Sequence, residues 1–214
     1  MADPRSDLEL LEAWRGGDSE AGQELFRRHY NAVYRFFSSK VSAEAVQELV
    51  QDTFTTLVRK RDDFEGKSTF RAYVLGIARR QVYEHFRKLQ QLSRFDPLTY
   101  SVAALSSSPA SLLDEQQEHR LLGIALTRIP LEYQILLELY LWEDLTGAQL
   151  ATIVGVGENT MRSRLRIAKK LLKKEFRRII DDPAQAHASF ETFSGWLDEV
   201  RHAARRAFPE LKDD

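Results

Sequence analysis

The chain has 214 residues, with 43% hydrophobic and 29% charged residues and no cysteine, which excludes disulfides, thiolate metal sites and cysteine nucleophiles. Its formal net charge is −1, so a surface for nucleic acid requires local segregation of charge. The acidic N-terminal segment does not match a signal peptide, and no apolar run reaches membrane-spanning length, so we expect a cytoplasmic protein without membrane insertion.

The first half of the chain predicts several amphipathic helices. Apolar residues recur at helical spacing from about residue 7 to residue 92, with glycine-containing breaks at residues 16–17 and 65–67. One helix, around residues 46–57, carries a polar stripe beside its apolar stripe. Such a stripe is usually only solvated, and by itself it does not identify a protein-binding surface. It consists of Glu48, Gln51, Asp52 and Thr55.

The stretch from residue 64 to residue 94 combines aromatic and basic residues. It contains seven Lys/Arg residues against two Glu residues. Positive charge beside exposed rings suits single-stranded nucleic acid, because rings stack on unpaired bases while Arg and Lys hold the backbone. The alternative, that most of these rings are core residues, remains open at this point. We expect contacts from the rings of Phe64 and Tyr83.

The helix within this stretch has two predicted faces. Its core stripe is Leu75, Ala78, Val82, Phe86 and Leu89. Its exposed face is then formed by Arg79, Tyr83 and Arg87, with Arg80 and Lys88 beside them.

Beyond this helix the composition changes. Residues 93–111 are rich in serine, contain two prolines and lack periodicity, which is typical of a semi-flexible linker. Helical periodicity returns from about residue 114 to residue 180, with Pro130 opening one helix. A last amphipathic helix is predicted in the tail. Its apolar stripe is Phe190, Phe193, Leu197, Val200 and Ala204. The chain is therefore predicted to be all-α.

The segment from residue 146 to residue 176 predicts a helix-turn-helix. Thr146 is a suitable N-cap for a short helix, and Gly155 a suitable end for it. The small Ala151 allows a second helix to approach closely. That second helix has an apolar face of Met161, Leu165, Ala168 and Leu172.

The opposite face of the second helix is strongly basic. Arg162, Ser163 and Arg166 lie near its start, where recognition helices contact base edges. Lys169, Lys170 and Lys173 follow, and they suit phosphate contacts. The alternative is a solvated basic face on a helical hairpin. The combination of small-residue helix, glycine turn and basic helix favours DNA.

Together these segments resemble a known family. The order "ELVQDTFTTLVRKRDDFEGKSTFRAYVLGIARR", a linker and "RIPLEYQILLELYLWEDLTGAQLATIVGVGENTMRSRLRIAKKLL" is similar to that of the bacterial sigma-70 family, and more closely to its extracytoplasmic-function (ECF) group. The resemblance covers roughly residues 20–178. It implies a region 2 domain (7–92), a flexible linker (93–113), a region 4 helix-turn-helix domain (114–180) and a C-terminal helical extension (183–214).

The resemblance also implies residue roles. Core RNA polymerase would bind the polar stripe formed by Glu48, Gln51, Asp52 and Thr55. The −10 promoter element would contact Phe64, Lys67, Ser68, Thr69, Arg79, Arg80, Tyr83 and Arg87. The −35 element would contact Asn159, Thr160, Arg162, Ser163, Arg166, Lys169 and Lys170.

Competing functions remain. A dimeric helix-turn-helix regulator would bind a palindromic operator, whereas a sigma factor is expected to be a monomer when free. Catalysis is not expected, since the five histidines lie far apart in the sequence and no glycine-rich phosphate loop is present. We expect no metal and no cofactor. Core RNA polymerase and promoter DNA are the expected partners, an anti-sigma factor is a further candidate, and the tail either packs on the region 4 domain or binds a regulator.

Overall fold

The computed structural model describes residues 3–89, 95–105 and 117–179, together with residues 195, 197, 198 and 200–202 of the tail. Within these residues the regular secondary structure is helical, and the one β-type contact is an isolated bridge between Ser101 and Pro130. The all-α prediction is therefore confirmed.

The N-terminal unit is built from amphipathic helices that bury their apolar stripes against one another. A single 3-10 turn follows its third helix. The helices are α1 (Asp7–Arg15), α2 (Ser19–Ser38), α3 (Ala43–Lys60) and α4 (Phe70–Leu89).

Side-chain caps fix where these helices begin. Ser6 forms a capping box with Glu9 at the start of α1, and the Asp18 carboxylate accepts hydrogen bonds from the first backbone N–H groups of α2. The predicted break between α1 and α2 is confirmed, and Gly17 adopts a φ of 103° there. Glycine suits this position because it enters the left-handed region without a Cβ clash.

The core stripe predicted for α4 is largely correct. Leu75, Ala78, Val82 and Phe86 are buried, but Leu89 is 58% exposed. The prediction for Leu89 is wrong because helical spacing alone does not reveal which turns of a helix are covered by neighbouring elements.

The second unit consists of shorter helices and one long one. Pro130 is the N-cap of the helix Leu131–Leu141, at the start that the sequence predicted. The helices are α5 (Val102–Leu105), α6 (Gln117–Arg128), α7 (Leu131–Leu141), α8 (Gly147–Val154) and α9 (Glu158–Ile179).

The described part of the predicted linker is packed against both units. Val102 is fully buried, and the carbonyl of Tyr100 accepts a hydrogen bond of 2.8 Å from the Leu131 N–H. The expectation of a semi-flexible linker is therefore wrong for residues 95–105, because their few apolar side chains contribute to the core. Residues 93–94 and 106–113 of the predicted linker lie outside the described residues.

Two apolar clusters organise the molecule. The first joins α1–α4 to residues of α7 and α8, so the two units share one core. The second fills the space between α6, α7 and α9, and Leu197 and Val200 of the tail belong to it. Arg201 extends this contact, since its Nε donates to Asp144 Oδ1 at 2.7 Å. The described part of the tail therefore packs on the second unit, whereas Phe190, Phe193, Trp196 and Ala204 lie outside the described residues.

Candidate nucleic-acid interface

The predicted helix-turn-helix is present as α8, a glycine-containing turn and α9. Thr146 caps α8 in a capping box with Gln149, whose N–H donates to Thr146 Oγ1 at 3.3 Å. Gly155 ends α8 with a φ of 76°, and its N–H donates to the carbonyl of Ala151 at 2.9 Å. These are the capping roles that the sequence predicted for Thr146 and Gly155.

The inner face of α9 explains how its outer face is aimed. Met161, Ala168 and Leu172 are fully buried, and Leu165 is half-buried. These residues pack against α8, α7 and α6. Since helical side chains at these spacings share one face, burial of this face turns the basic face away from the protein.

Most of the predicted −35 contacts lie on that outer face. Exposed positions are Asn159, Thr160, Arg162, Ser163, Arg166 and Lys170. Lys169 differs, because it is half-buried and its Nζ lies 4.6 Å from the centre of the Tyr140 ring. A cation over an aromatic face is stabilised there, so Lys169 already has a structural role.

The Phe64 ring is not available at the surface. It is 6% exposed and contacts the rings of Phe70 and Tyr73, whose centres lie 5.7 Å and 5.1 Å away. The expectation of an accessible Phe64 is therefore wrong. The sequence placed an aromatic residue in a loop, and loop positions carry no periodicity from which burial could be inferred.

The rest of the loop before α4 is accessible. Lys67 is exposed and pairs with Glu65, while Ser68 and Thr69 are half-buried. Thr69 Oγ1 accepts a hydrogen bond of 3.1 Å from the Ala72 N–H, which caps α4. Further along, Arg80 and Arg87 are exposed as predicted.

Arg79 and Tyr83 are covered by α7. Arg79 Nη2 donates to both carboxylate oxygens of Glu132 at 3.0 Å, and the Tyr83 hydroxyl donates to Glu132 Oε2. The prediction of an exposed face is therefore wrong for these two residues. Burial raises the pKa of Tyr83, and the neighbouring Glu132 carboxylate raises it further.

Two members of this network were missed by the sequence reasoning. Glu132 is 1% exposed, and Arg164 Nη1 of α9 donates to its Oε1 at 3.1 Å. Arg164 lies three residues after the buried Met161, so helical spacing could have placed it on the inner face. Nothing in the local sequence distinguishes Glu132 from an ordinary acidic residue in a first helical turn.

Two further buried carboxylates of the second unit bind cations of the first. Lys40 is fully buried and donates to Glu138. Arg71 donates from Nε to Glu143 Oε2 at 3.0 Å. Burial lowers the pKa of Lys40, although the Glu138 charge acts in the opposite direction. The two units are therefore joined by ion pairs as well as by apolar contacts.

The predicted polar stripe of α3 is fully at the surface. All four of its side chains are exposed. Beside it lies a group of rings that the sequence reasoning did not single out: Tyr30 is 46% exposed and Tyr34 is 40% exposed. Tyr30 stacks on Phe54 of α3, with ring centres 6.4 Å apart. The α2–α3 surface thus combines acidic and aromatic side chains.

Within the described residues, no group of three or more acidic or histidine side chains could hold a metal ion. No helix in the described ranges is both long and apolar enough to cross a membrane.

Comparisons with known proteins agree with this architecture. Residues 25–92 match the model of sigma-70 region 2. The chain is 29% identical over 160 residues to the ECF RNA polymerase sigma factor RpoE of Cereibacter sphaeroides, which covers 73% of this chain and 87% of the relative. It is 26% identical over 174 residues to the ECF RNA polymerase sigma factor SigM of Mycobacterium tuberculosis, covering 79% and 84% respectively.

Two solved structures have the same fold. CnrH, in complex with the cytosolic domain of CnrY, aligns with a TM-score of 0.60 at 20% identity and covers 83% of this chain and 100% of its own. RpoE of Bartonella quintana, in complex with the anti-sigma factor NepR, aligns with a TM-score of 0.54 at 22% identity and covers 75% and 97%.

Proposed function

Because the chain belongs to the extracytoplasmic-function group of the sigma-70 family of RNA polymerase sigma factors, we propose that it gives core RNA polymerase its promoter specificity. In this role it recognises the −10 and −35 elements and helps to open the DNA at the −10 element. It acts as a non-catalytic subunit. The observation that carries the proposal is the exposed basic face of α9, the helix that comes directly after the turn at the end of α8.

The −35 element is the proposed ligand of α9. Arg162, Ser163 and Arg166 are exposed in the first turns of this helix, and these turns reach base edges when a recognition helix enters the major groove. An Arg guanidinium can pair with two acceptors of one guanine. Lys170 lies further along the same face and suits a phosphate.

The −10 element is the proposed ligand of α4 and of the loop before it. Lys67, Arg80 and Arg87 are exposed cations on this part of the molecule. Arg79 and Tyr83 would join them once Glu132 no longer holds them. An opened strand is stabilised by such cations and by stacking on a Tyr ring, and these contacts offset the cost of unpairing.

Core RNA polymerase is the proposed partner of α3. Glu48, Gln51, Asp52 and Thr55 form an exposed stripe that no other part of the described chain covers. The neighbouring rings of Tyr30 and Tyr34 are exposed as well. Aromatic side chains are enriched in protein–protein interfaces, and polar residues form the rim around them.

The proposal is tested with purified bacterial core RNA polymerase. The tagged full-length chain is mixed with core enzyme, and the eluate is used to transcribe genomic fragments, with core enzyme alone as the control. We expect co-elution and discrete transcript starts that core enzyme alone does not produce. If the chain does not bind core enzyme and is instead a dimer that binds duplex DNA, the operator-binding regulator is the correct function.

A further inference from the structure

We propose that α7 is an internal competitor of nucleic acid: Glu132 holds Arg79 and Tyr83 in a closed arrangement, and α4 binds an opened DNA strand only after α7 leaves it. This inference rests on the proposed function, because it takes α4 as the strand-binding helix. It is carried by the contacts of Glu132, whose donors come from α4 on one side and from α9 on the other.

The Glu132 carboxylate offers Arg79 a pair of anionic oxygen acceptors, as a DNA phosphate would. Arg79 Nη2 lies 3.0 Å from Glu132 Oε1 and Arg79 Nε lies 3.3 Å from Glu132 Oε2, and planar guanidinium groups bind carboxylates and phosphates in this two-point geometry. A phosphate cannot take this place while Glu132 occupies it. The ligand that Glu132 excludes is therefore an anionic backbone.

The Tyr83 ring is engaged as well. The Arg79 guanidinium lies 4.8 Å from its centre, and the ring of Phe95 lies 6.2 Å from it. Its hydroxyl donates to Glu132. Since a base can stack only on a free ring face, the closed arrangement removes both the cation and the ring from use.

Glu132 also ties the two proposed DNA-binding helices together. Arg164 belongs to α9, and its Nη1 lies 3.1 Å from the same carboxylate that holds Arg79 of α4. The pairs Lys40–Glu138 and Arg71–Glu143 join the same two units. Opening therefore breaks several contacts at once, and a binding partner must compensate for them.

The first experiment compares binding of single-stranded DNA by three full-length proteins. Wild type, Glu132→Gln and Asp7→Asn are titrated into a short fluorescein-labelled oligonucleotide of mixed sequence, and anisotropy is recorded. Asp7 is a matched control, because it is also a buried carboxylate paired with Arg28 and His29, but all three residues lie in the first unit. Both variants change the net charge equally.

We expect Glu132→Gln to bind the oligonucleotide about ten-fold more tightly than wild type. This is the change in apparent affinity when the open, binding-competent state rises from about one-tenth of the population to nearly all of it. Asp7→Asn is expected to bind as wild type does. Glu138→Gln gives a second route to opening, because it weakens the same interface without touching Arg79, Tyr83 or Arg164. It is expected to change the affinity in the same direction.

The second experiment measures opening directly. Because the chain has no cysteine, spin labels can be attached at Leu8→Cys in α1 and Lys174→Cys in α9, both exposed positions. Pulsed electron paramagnetic resonance then reports the distance between the two units. Wild type and Asp7→Asn are expected to give the same short distance, and Glu132→Gln a longer and broader distribution.

The two readouts separate the possible failures. Longer distances together with tighter DNA binding support the inference. Unchanged distances and unchanged affinity in both Glu132→Gln and Glu138→Gln overturn it, while transcription with core RNA polymerase would still support the proposed function. Longer distances without tighter DNA binding would show that α4 does not bind the opened strand. The proposed blocking of α4 by α7 would then be overturned as well.

Discussion

The Arg71 guanidinium and the Glu143 carboxylate form a buried ion pair between residues that lie 72 positions apart in the sequence. Arg71 belongs to α4 and Glu143 follows α7, so this pair connects the two units. A charge in such a place is tolerated only with a partner, because an uncompensated buried charge is costly.

Replacing Arg71 by Met is therefore expected to destabilise the protein. Glu143 would keep the 3.4 Å contact with Arg35, which does not replace its hydrogen bonds to Arg71, and the loss is expected to be about 3 kcal/mol in the free energy of unfolding. Urea unfolding followed by circular dichroism measures it. Arg178→Met is the control, since Arg178 pairs with Glu175 at the surface and should cost less than about 1 kcal/mol. Equal losses in the two variants would contradict the burial argument.

The C-terminal end of α8 requires a glycine. Gly155 has a φ of 76°, and a Cβ added to it would meet no atom within 4 Å, so Gly155→Ala is expected to cost about 1 kcal/mol through backbone strain alone. Gly147, at the first position of α8, also has room for a Cβ, but its φ is not in the left-handed region. Gly147→Ala is therefore the control. It should be neutral or stabilising by up to about 1 kcal/mol. Thermal unfolding of both variants checks this, and a Gly155→Ala protein as stable as Gly147→Ala would refute it.

The Asp7 carboxylate should make stability depend on pH. Burial alone would raise the pKa of Asp7, but hydrogen bonds and charges from His29 and Arg28 outweigh it and lower the pKa. The stabilisation is therefore present above the ordinary aspartate pKa of about 4 and is lost as pH falls through the lowered pKa. The difference in unfolding free energy between wild type and Asp7→Asn should shrink as pH falls from about 5 to about 2. A difference that stays constant over this range would rule out the linkage.

Charge reversal on the outer face of α9 should separate DNA binding from polymerase binding. Arg166 is exposed near the start of this helix, and Arg166→Glu is expected to lower promoter affinity by at least about ten-fold. Co-purification with core RNA polymerase should be unchanged. Arg178→Glu, in the last turn of α9, is the matched control and should change the affinity by less than about three-fold. Normal promoter binding by Arg166→Glu would place the recognition face elsewhere.

The opposite result is expected for the α3 surface. Asp52→Arg reverses a charge in the exposed polar stripe, and it is expected to reduce capture of core RNA polymerase by at least about ten-fold, because opposed like charges at an interface are costly. Binding of isolated −35 duplex should not change. Asp198→Arg, at an exposed tail position, is expected to leave capture as in wild type. Undiminished capture of Asp52→Arg would remove α3 from the interface.

The sequence alone determined the features that depend on near neighbours. The N-cap at Thr146 follows from backbone hydrogen bonding, and the left-handed helix end at Gly155 follows from the φ preference of glycine. The apolar stripe of α9 that begins at Met161 follows from helical spacing. The exposed positions of Arg166 and Asp52 follow from the same periodicity. Because these forces act locally, one sequence was enough to predict the all-α fold and the basic outer face of α9.

Only the tertiary structure decided which charged and aromatic side chains are covered. Arg79 and Tyr83 face Glu132, which lies 53 and 49 residues away along the chain, and Phe64 joins a ring cluster with Phe70. Helical spacing gives the direction of a side chain relative to its own helix, but it carries no information about a distant helix that packs over it. The burial of the α7 carboxylates therefore could not be predicted from the sequence, because it depends on how the two units pack.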